Sequence, residues 1–182
     1  VKAGGGKQKG SEFERVICKA LSLWVSEGQK EDLFWRSAMS GGRATVANKS
    51  GYILGNHAGD ISATSIQGAG LTDRYYIEAK FYRSLQWDRF LLADTGLVAG
   101  FWTEAIKNAA VYKRQPILIA KQNRSATLIM MMPDTFAGLS FKPPICLRKM
   151  KGKFKVDLCL FDELLKTTFR VHPEARFTSE LK

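Results

Sequence analysis

Three side chains carry the clearest chemical signal in this chain: Asp60, preceded by Gly59, and the outer residues of the triplet Glu78-Ala79-Lys80. On a strand, residues i and i+2 share a face, so Glu78 and Lys80 are expected to emerge side by side. Asp60 reaches them if segments 60–66 and 74–80 pair as a hairpin, with the turn-forming residues 67–73 between them. Two carboxylates converging on one point repel each other unless a cation lies between them. Magnesium suits that place, because it takes oxygen ligands, keeps several waters and accepts phosphate oxygens. The Ala79 carbonyl could add a further oxygen. Lys80 beside the metal would orient a water or meet charge building on a phosphate. These parts match the needs of phosphodiester hydrolysis: an activated water, in-line placement and charge neutralisation, with no covalent nucleophile.

Other elements must hold these residues in place. Residues 1–10 are rich in Gly and Lys and read as a flexible basic arm. Ser11 then suits a helix N-cap, with Glu12 and Glu14 in the first turn. Phe13, Val16, Ile17, Ala20, Leu21 and Trp24 recur at helical spacing and predict a helix over about 12–26. Leu33, Phe34 and Trp35 predict a short strand, and the polar, glycine-rich stretch 40–59 a long loop. Val98, Phe101, Trp102, Ala105, Ile106 and Ala109 line one face of a second helix over 97–113. Segments 116–120 and 126–132 read as strands, 145–150 and 154–160 as a closing hairpin, and a helix follows from Asp162. This order implies an α/β fold with a mixed sheet between helices. It is read as one domain over 11–182, with a core to about 133 and a C-terminal β-hairpin and helix over 134–182.

Composition narrows the classes. With 45 % apolar residues in 182, the chain can bury a core and is not compositionally disordered. No apolar run approaches the ~20 residues of a membrane span, and no N-terminal signal pattern is visible, so a cytoplasmic protein is expected. Cys18, Cys146 and Cys159 are odd in number and form no CxxC pair, which argues against a disulfide framework or a structural zinc site. The net charge of +11 and pI near 9.7 suit a polyanionic partner.

The pattern Gly59-Asp60, followed one segment later by Glu78-x-Lys80, resembles the PD-(D/E)xK nuclease superfamily, with glycine where proline is frequent. Within it, Lys9-Gly10-Ser11-Glu12-Phe13-Glu14-Arg15 and Arg36-Ser37-Ala38-Met39-Ser40 resemble segments of archaeal-type Holliday junction resolvases. The resemblance spans about residues 9–130 and implies a restriction-endonuclease-like core. It also implies metal or water contacts for Glu14, Asp60 and Glu78, catalytic work for Lys80, and DNA contacts for Arg15, Arg36, Ser40 and the neighbouring Arg43. Magnesium, with manganese able to substitute, a branched DNA substrate and a homodimer follow from the same resemblance, since symmetric resolution needs two equivalent cuts. So does a bacterial or archaeal host, with a phage gene as one source. The loop before Asp60 is longer than in compact resolvases, and residues beyond 133 have no counterpart in the minimal fold.

Several signals have plainer readings. Glu12 lies about 200° of helix from Glu14, so only one of them can face the site; Glu12 reads as a solvated first-turn charge. Gly4-Gly5-Gly6-Lys7 lacks the preceding strand and the spacing of a phosphate loop. His57 and His172 are too few for a ligand cluster, and Trp24, Trp35, Phe101 and Trp102 read as core. The competing functions are a sequence-specific or nicking endonuclease on duplex DNA, and a basic nucleic-acid-binding protein without catalysis.

Overall fold

The computed structural model describes residues 5–37, 58–133, 135 and 146–169. Residues 40–57 of the loop expected over 40–59, with Ser40, Arg43 and His57, lie outside them, as do most of 134–145 and the C-terminal residues after 169. Helix α1, Gly5–Val25, leads to β1, Phe34–Arg36. Then come β2, Ile61–Ala63; α2, Ile66–Thr72; β3, Tyr75–Tyr82; α3, Trp87–Ala93; and α4, Gly96–Val111. The chain continues through β4, Gln115–Gln122; β5, Leu128–Met131; β6, Cys146–Lys149; β7, Val156–Leu160; and α5, Phe161–Leu165.

Five strands form one sheet in the order β3-β4-β5-β7-β6, and β1 and β2 form a separate antiparallel pair. β3 and β4 are parallel, with α3 and α4 supplying the crossover between them, and the remaining pairs are antiparallel. The sheet is therefore mixed, as expected. Its two faces bury different clusters, because strand side chains alternate. Tyr75, Ile77 and Ala79 of β3 and Ile117 and Ile119 of β4 pack with Phe13, Ile17, Leu21 and Trp24 of α1. On the other face Leu118 and Ala120 pack with Val98, Trp102 and Ala105 of α4. Trp35, read as core, is instead 47 % exposed. Among the described residues no helix is long and apolar enough to cross a membrane.

Three sequence expectations need correction. The first helix begins at Gly5, so Ser11 lies inside it rather than at its N-cap, and residues 5–10 are helical where a flexible arm was expected. Lys9 is tied down: its ammonium sits 3.7 Å from the Phe81 ring centroid and donates to Asn123 Oδ1. Residues 60–66 and 74–80 do not form a hairpin. β2 pairs with β1, and the glycine-rich stretch read as a turn is helix α2, capped by the Ser65 hydroxyl accepting from Gly68 N–H. Glycine at 68 serves close packing there, because a Cβ would lie 2.6 Å from the Leu33 carbonyl oxygen. The expected C-terminal hairpin is present as β6 and β7, and β7 joins it to the central sheet by pairing with β5.

Candidate active site

β3 is an edge strand, and Asp60 docks on that edge. The Asp60 N–H donates to the Ile77 carbonyl at 2.8 Å, while Asp60 Oδ2 accepts from the Ala79 N–H at 2.9 Å. One residue thus satisfies a carbonyl and an amide that the sheet leaves open. Ser37 N–H donates to the Asp60 carbonyl at 2.8 Å, which holds the residue from the other side. Gly59 makes this approach possible: its φ is +84°, and a Cβ would fall 2.5 Å from the Ile77 carbonyl oxygen.

The side chains of Tyr76, Glu78 and Lys80 follow one another on one face of β3, as alternation requires. Lys80 Nζ lies 3.0 Å from Asp60 Oδ2 and 2.5 Å from Glu78 Oε2, so a single ammonium bridges both carboxylates. The other Glu78 oxygen accepts from the Tyr76 hydroxyl at 2.7 Å, and Asn108 of α4 donates to that hydroxyl at 3.2 Å. Tyr76 is buried and stacks on Tyr112, at 6.1 Å between centroids. The carboxylate of Glu78 is therefore fixed at both ends.

Glu14 reaches the same centre from α1, through the charge of Asp60, and pairs with Arg36 Nε at 3.0 Å. Burial, then the Asp60 charge, raise the pKa of Glu14 and also that of Glu78, so both hold protons more readily than an ordinary carboxyl. Burial works against the Lys80 ammonium, but Asp60 and then Glu78 outweigh it and hold its pKa above the usual lysine range. Burial, followed by the bond to Glu78, likewise raises Tyr76. The structure thus brings together Glu14, Arg36, Asp60, Glu78 and Lys80. Arg15 lies exposed one helical position on, about 100° round α1 from Glu14. Glu12 is exposed and accepts from Gln8. Tyr76 and Asn108 were missed. Tyr76 was findable, two residues before Glu78 on a strand; Asn108 leaves no local signal, because only the crossover brings α4 there.

The donor set suits a hard divalent cation. Its oxygens belong to carboxylates, burial and then the Asp60 charge raise the pKa of Glu78, and a cation already lies between two of them. Among the described residues no three His, Cys, Asp or Glu side chains form a ready-made metal cluster. Asp60 and Glu78, which already share one ammonium, are the two carboxylates placed to share a divalent cation completed by water and phosphate.

A family model described as "Phage putative PDDEXK endonuclease" matches residues 5–171, which is most of the chain. No curated protein and no solved structure matches it. The chain belongs to that endonuclease family, and its mixed five-stranded sheet flanked by helices is consistent with a restriction-endonuclease-like fold.

Proposed function

On the premise of that membership, we propose that the chain is a magnesium-dependent endodeoxyribonuclease whose centre is Asp60, Glu78 and Lys80. The observation that carries the reading is the bridge at the β3 edge, where one ammonium serves two carboxylates and a third, Glu14, stands close enough to feel Asp60. Asp60, Glu78 and the Ala79 carbonyl would hold the metal, with Glu14 acting through water. When bound, magnesium, or manganese in its stead, neutralises phosphate charge and supplies an activated water. Lys80 orients that water or meets charge on the phosphate. Tyr76 keeps Glu78 in the orientation this requires. Arg36, with Arg15, Ser40 and Arg43, contacts the DNA backbone, and the net charge of +11 draws the polyanion in.

The substrate we infer is branched DNA, cut by a homodimer. Support comes from the likeness of segments 9–15 and 36–40 to resolvase sequences and from the symmetry of two opposed cuts. Such an enzyme, phage-encoded, would work in the cytoplasm of its host. The test is cleavage with magnesium, manganese or neither, on a four-way junction, a duplex of equal length and a single strand. Metal-dependent cleavage is expected, with the junction bound at least tenfold tighter than the duplex, a margin of ~1.4 kcal/mol. Equal affinity, or a monomer under cleavage conditions, leaves a general endonuclease on duplex DNA. Binding without cleavage in any metal leaves a nucleic-acid-binding protein.

A further inference from the structure

The β3 face that carries Glu78 and Lys80 continues outward to Tyr82, which is 41 % exposed. Its ring lies 5.1 Å from that of Phe101 on α4, and the Lys80 ammonium lies 6.0 Å from the same Phe101 ring. Tyr82 belongs to none of the core clusters, and Phe101 only borders one. These two rings therefore form an aromatic ledge open to solvent at the rim of the catalytic centre.

Exposed cations lie in the chain beside the outer end of β3. Arg83 follows Tyr82 and is exposed. The Asn123 N–H donates to the Tyr82 carbonyl at 3.2 Å, which sets the exposed Arg124 beside it. Lys9 and Lys121, 3.7 and 5.8 Å from the ring of Phe81, belong instead to the other face of β3, where Phe81 packs beside α1. Glu104, one turn beyond Phe101 on α4, is the acid on that helix face. Rings flanked by cations are how proteins hold single-stranded nucleic acid, since every base has a stacking face and every phosphate a charge. Along the strand Tyr82 stands about 6.7 Å beyond Lys80, roughly twice the rise of stacked bases. A base that stacks on the Tyr82 ring must offer it a free face, which a base held between two neighbours in a duplex lacks.

We propose that Tyr82 and Phe101 form a stacking subsite for an unpaired nucleobase beside the phosphate that Lys80 contacts. The inference rests on the nuclease reading and refines its substrate to DNA with an unstacked base next to the cut.

Binding in EDTA, where the metal is withheld, tests the subsite separately from catalysis. The probes are a single-stranded oligonucleotide carrying one stacking-sensitive fluorescent base and a fully paired duplex of equal length. Wild-type protein should quench the fluorescent base. Tyr82→Leu should bind the single strand about tenfold more weakly, Tyr82→Phe within twofold of wild type, and both should bind the duplex within twofold. The salt dependence of single-strand binding should keep its slope in Tyr82→Leu, because no phosphate contact is lost. Absence of quenching by wild-type protein overturns the subsite without the need for any variant. It is also overturned by equal losses on both substrates, by a Tyr82→Phe defect as large as that of Tyr82→Leu, or by a changed salt slope. Failure of metal-dependent cleavage, by contrast, would strike the nuclease reading and leave these binding results standing.

Discussion

The two edges of the central sheet use the same kinds of residue to opposite effect. At the β6 edge each carboxylate has matched partners. Asp157 takes two bonds from Arg148, at 2.7 and 2.6 Å. Asp94 pairs with Lys149 at 2.9 Å and accepts from the Lys153 N–H. The bond from Lys149 lowers the pKa of Asp94 despite the opposing effect of burial, as expected of a settled structural pair. At the β3 edge, among the described residues, three carboxylates meet two cations, and the pKa values of Glu14 and Glu78 move up instead. A matched pair fastens a hairpin to a helix. An unmatched set retains attraction for another cation, and so marks the β3 edge as the candidate site without reference to any motif.

The largest effect that could break this comparison lies in the surplus carboxylates. Asp60→Asn and Glu78→Gln should each abolish cleavage, removing a contribution worth several kcal/mol, while DNA binding persists. In the metal-free protein Glu78→Gln should also raise Tm, because the site disfavours the charged form. Wild-type turnover in either variant would end the assignment. Next, Tyr76→Phe removes the donor to Glu78 and should cost about 10- to 100-fold in metal affinity or activity. Calorimetric titration with manganese would read it, and an unchanged affinity and rate would make Tyr76 a packing residue only.

Smaller and graded, the pH response should separate the edges. Folded-state pKa values of Glu14 and Glu78 are raised, so the metal-free fold gains stability as pH falls from neutral through them. Metal binding must displace those protons and should weaken over the same window, above the ordinary glutamate value of about 4.3. Asp94 has a lowered pKa, and its contribution is present above about 3.9 and lost only as pH falls through its folded value. Manganese affinity that stays flat down to the ordinary carboxylate range would contradict the surplus of charge. Last, Asp94→Asn should leave cleavage within twofold and lower Tm by a few degrees, at about 1 kcal/mol for a chain of this size.

Much of this was legible in the residues, and what was not has identifiable causes. Glu78 and Lys80 could be placed together because a strand has a fixed two-residue period, and the apolar stripes of α1 and α4 followed from the helical period in the same way. Asp60 was expected beside Glu78, and it is, but by a different route. The glycines after Ile66 suggested a turn, whereas Gly68 serves close packing against Leu33. Ser11 looked like a cap because capping chemistry is local, and nothing local records that the helix runs back to Gly5. The pairing of β3 with β4 spans two helices, and the contact of Asn108 with Tyr76 depends on that crossover. Long-range partners of this kind leave no periodic trace in the chain.

The docking of Asp60 has a further consequence, for how the molecule fails. The Ile77 carbonyl and Ala79 amide that it occupies are the kind of open edge that recruits foreign strands. A chain that has not seated Asp60 would therefore lack the proposed catalytic carboxylate and leave that stretch of β3 edge unpaired at the same moment. On the proposed assignment, one residue would then both complete the site and cover the sheet edge against pairing with other chains.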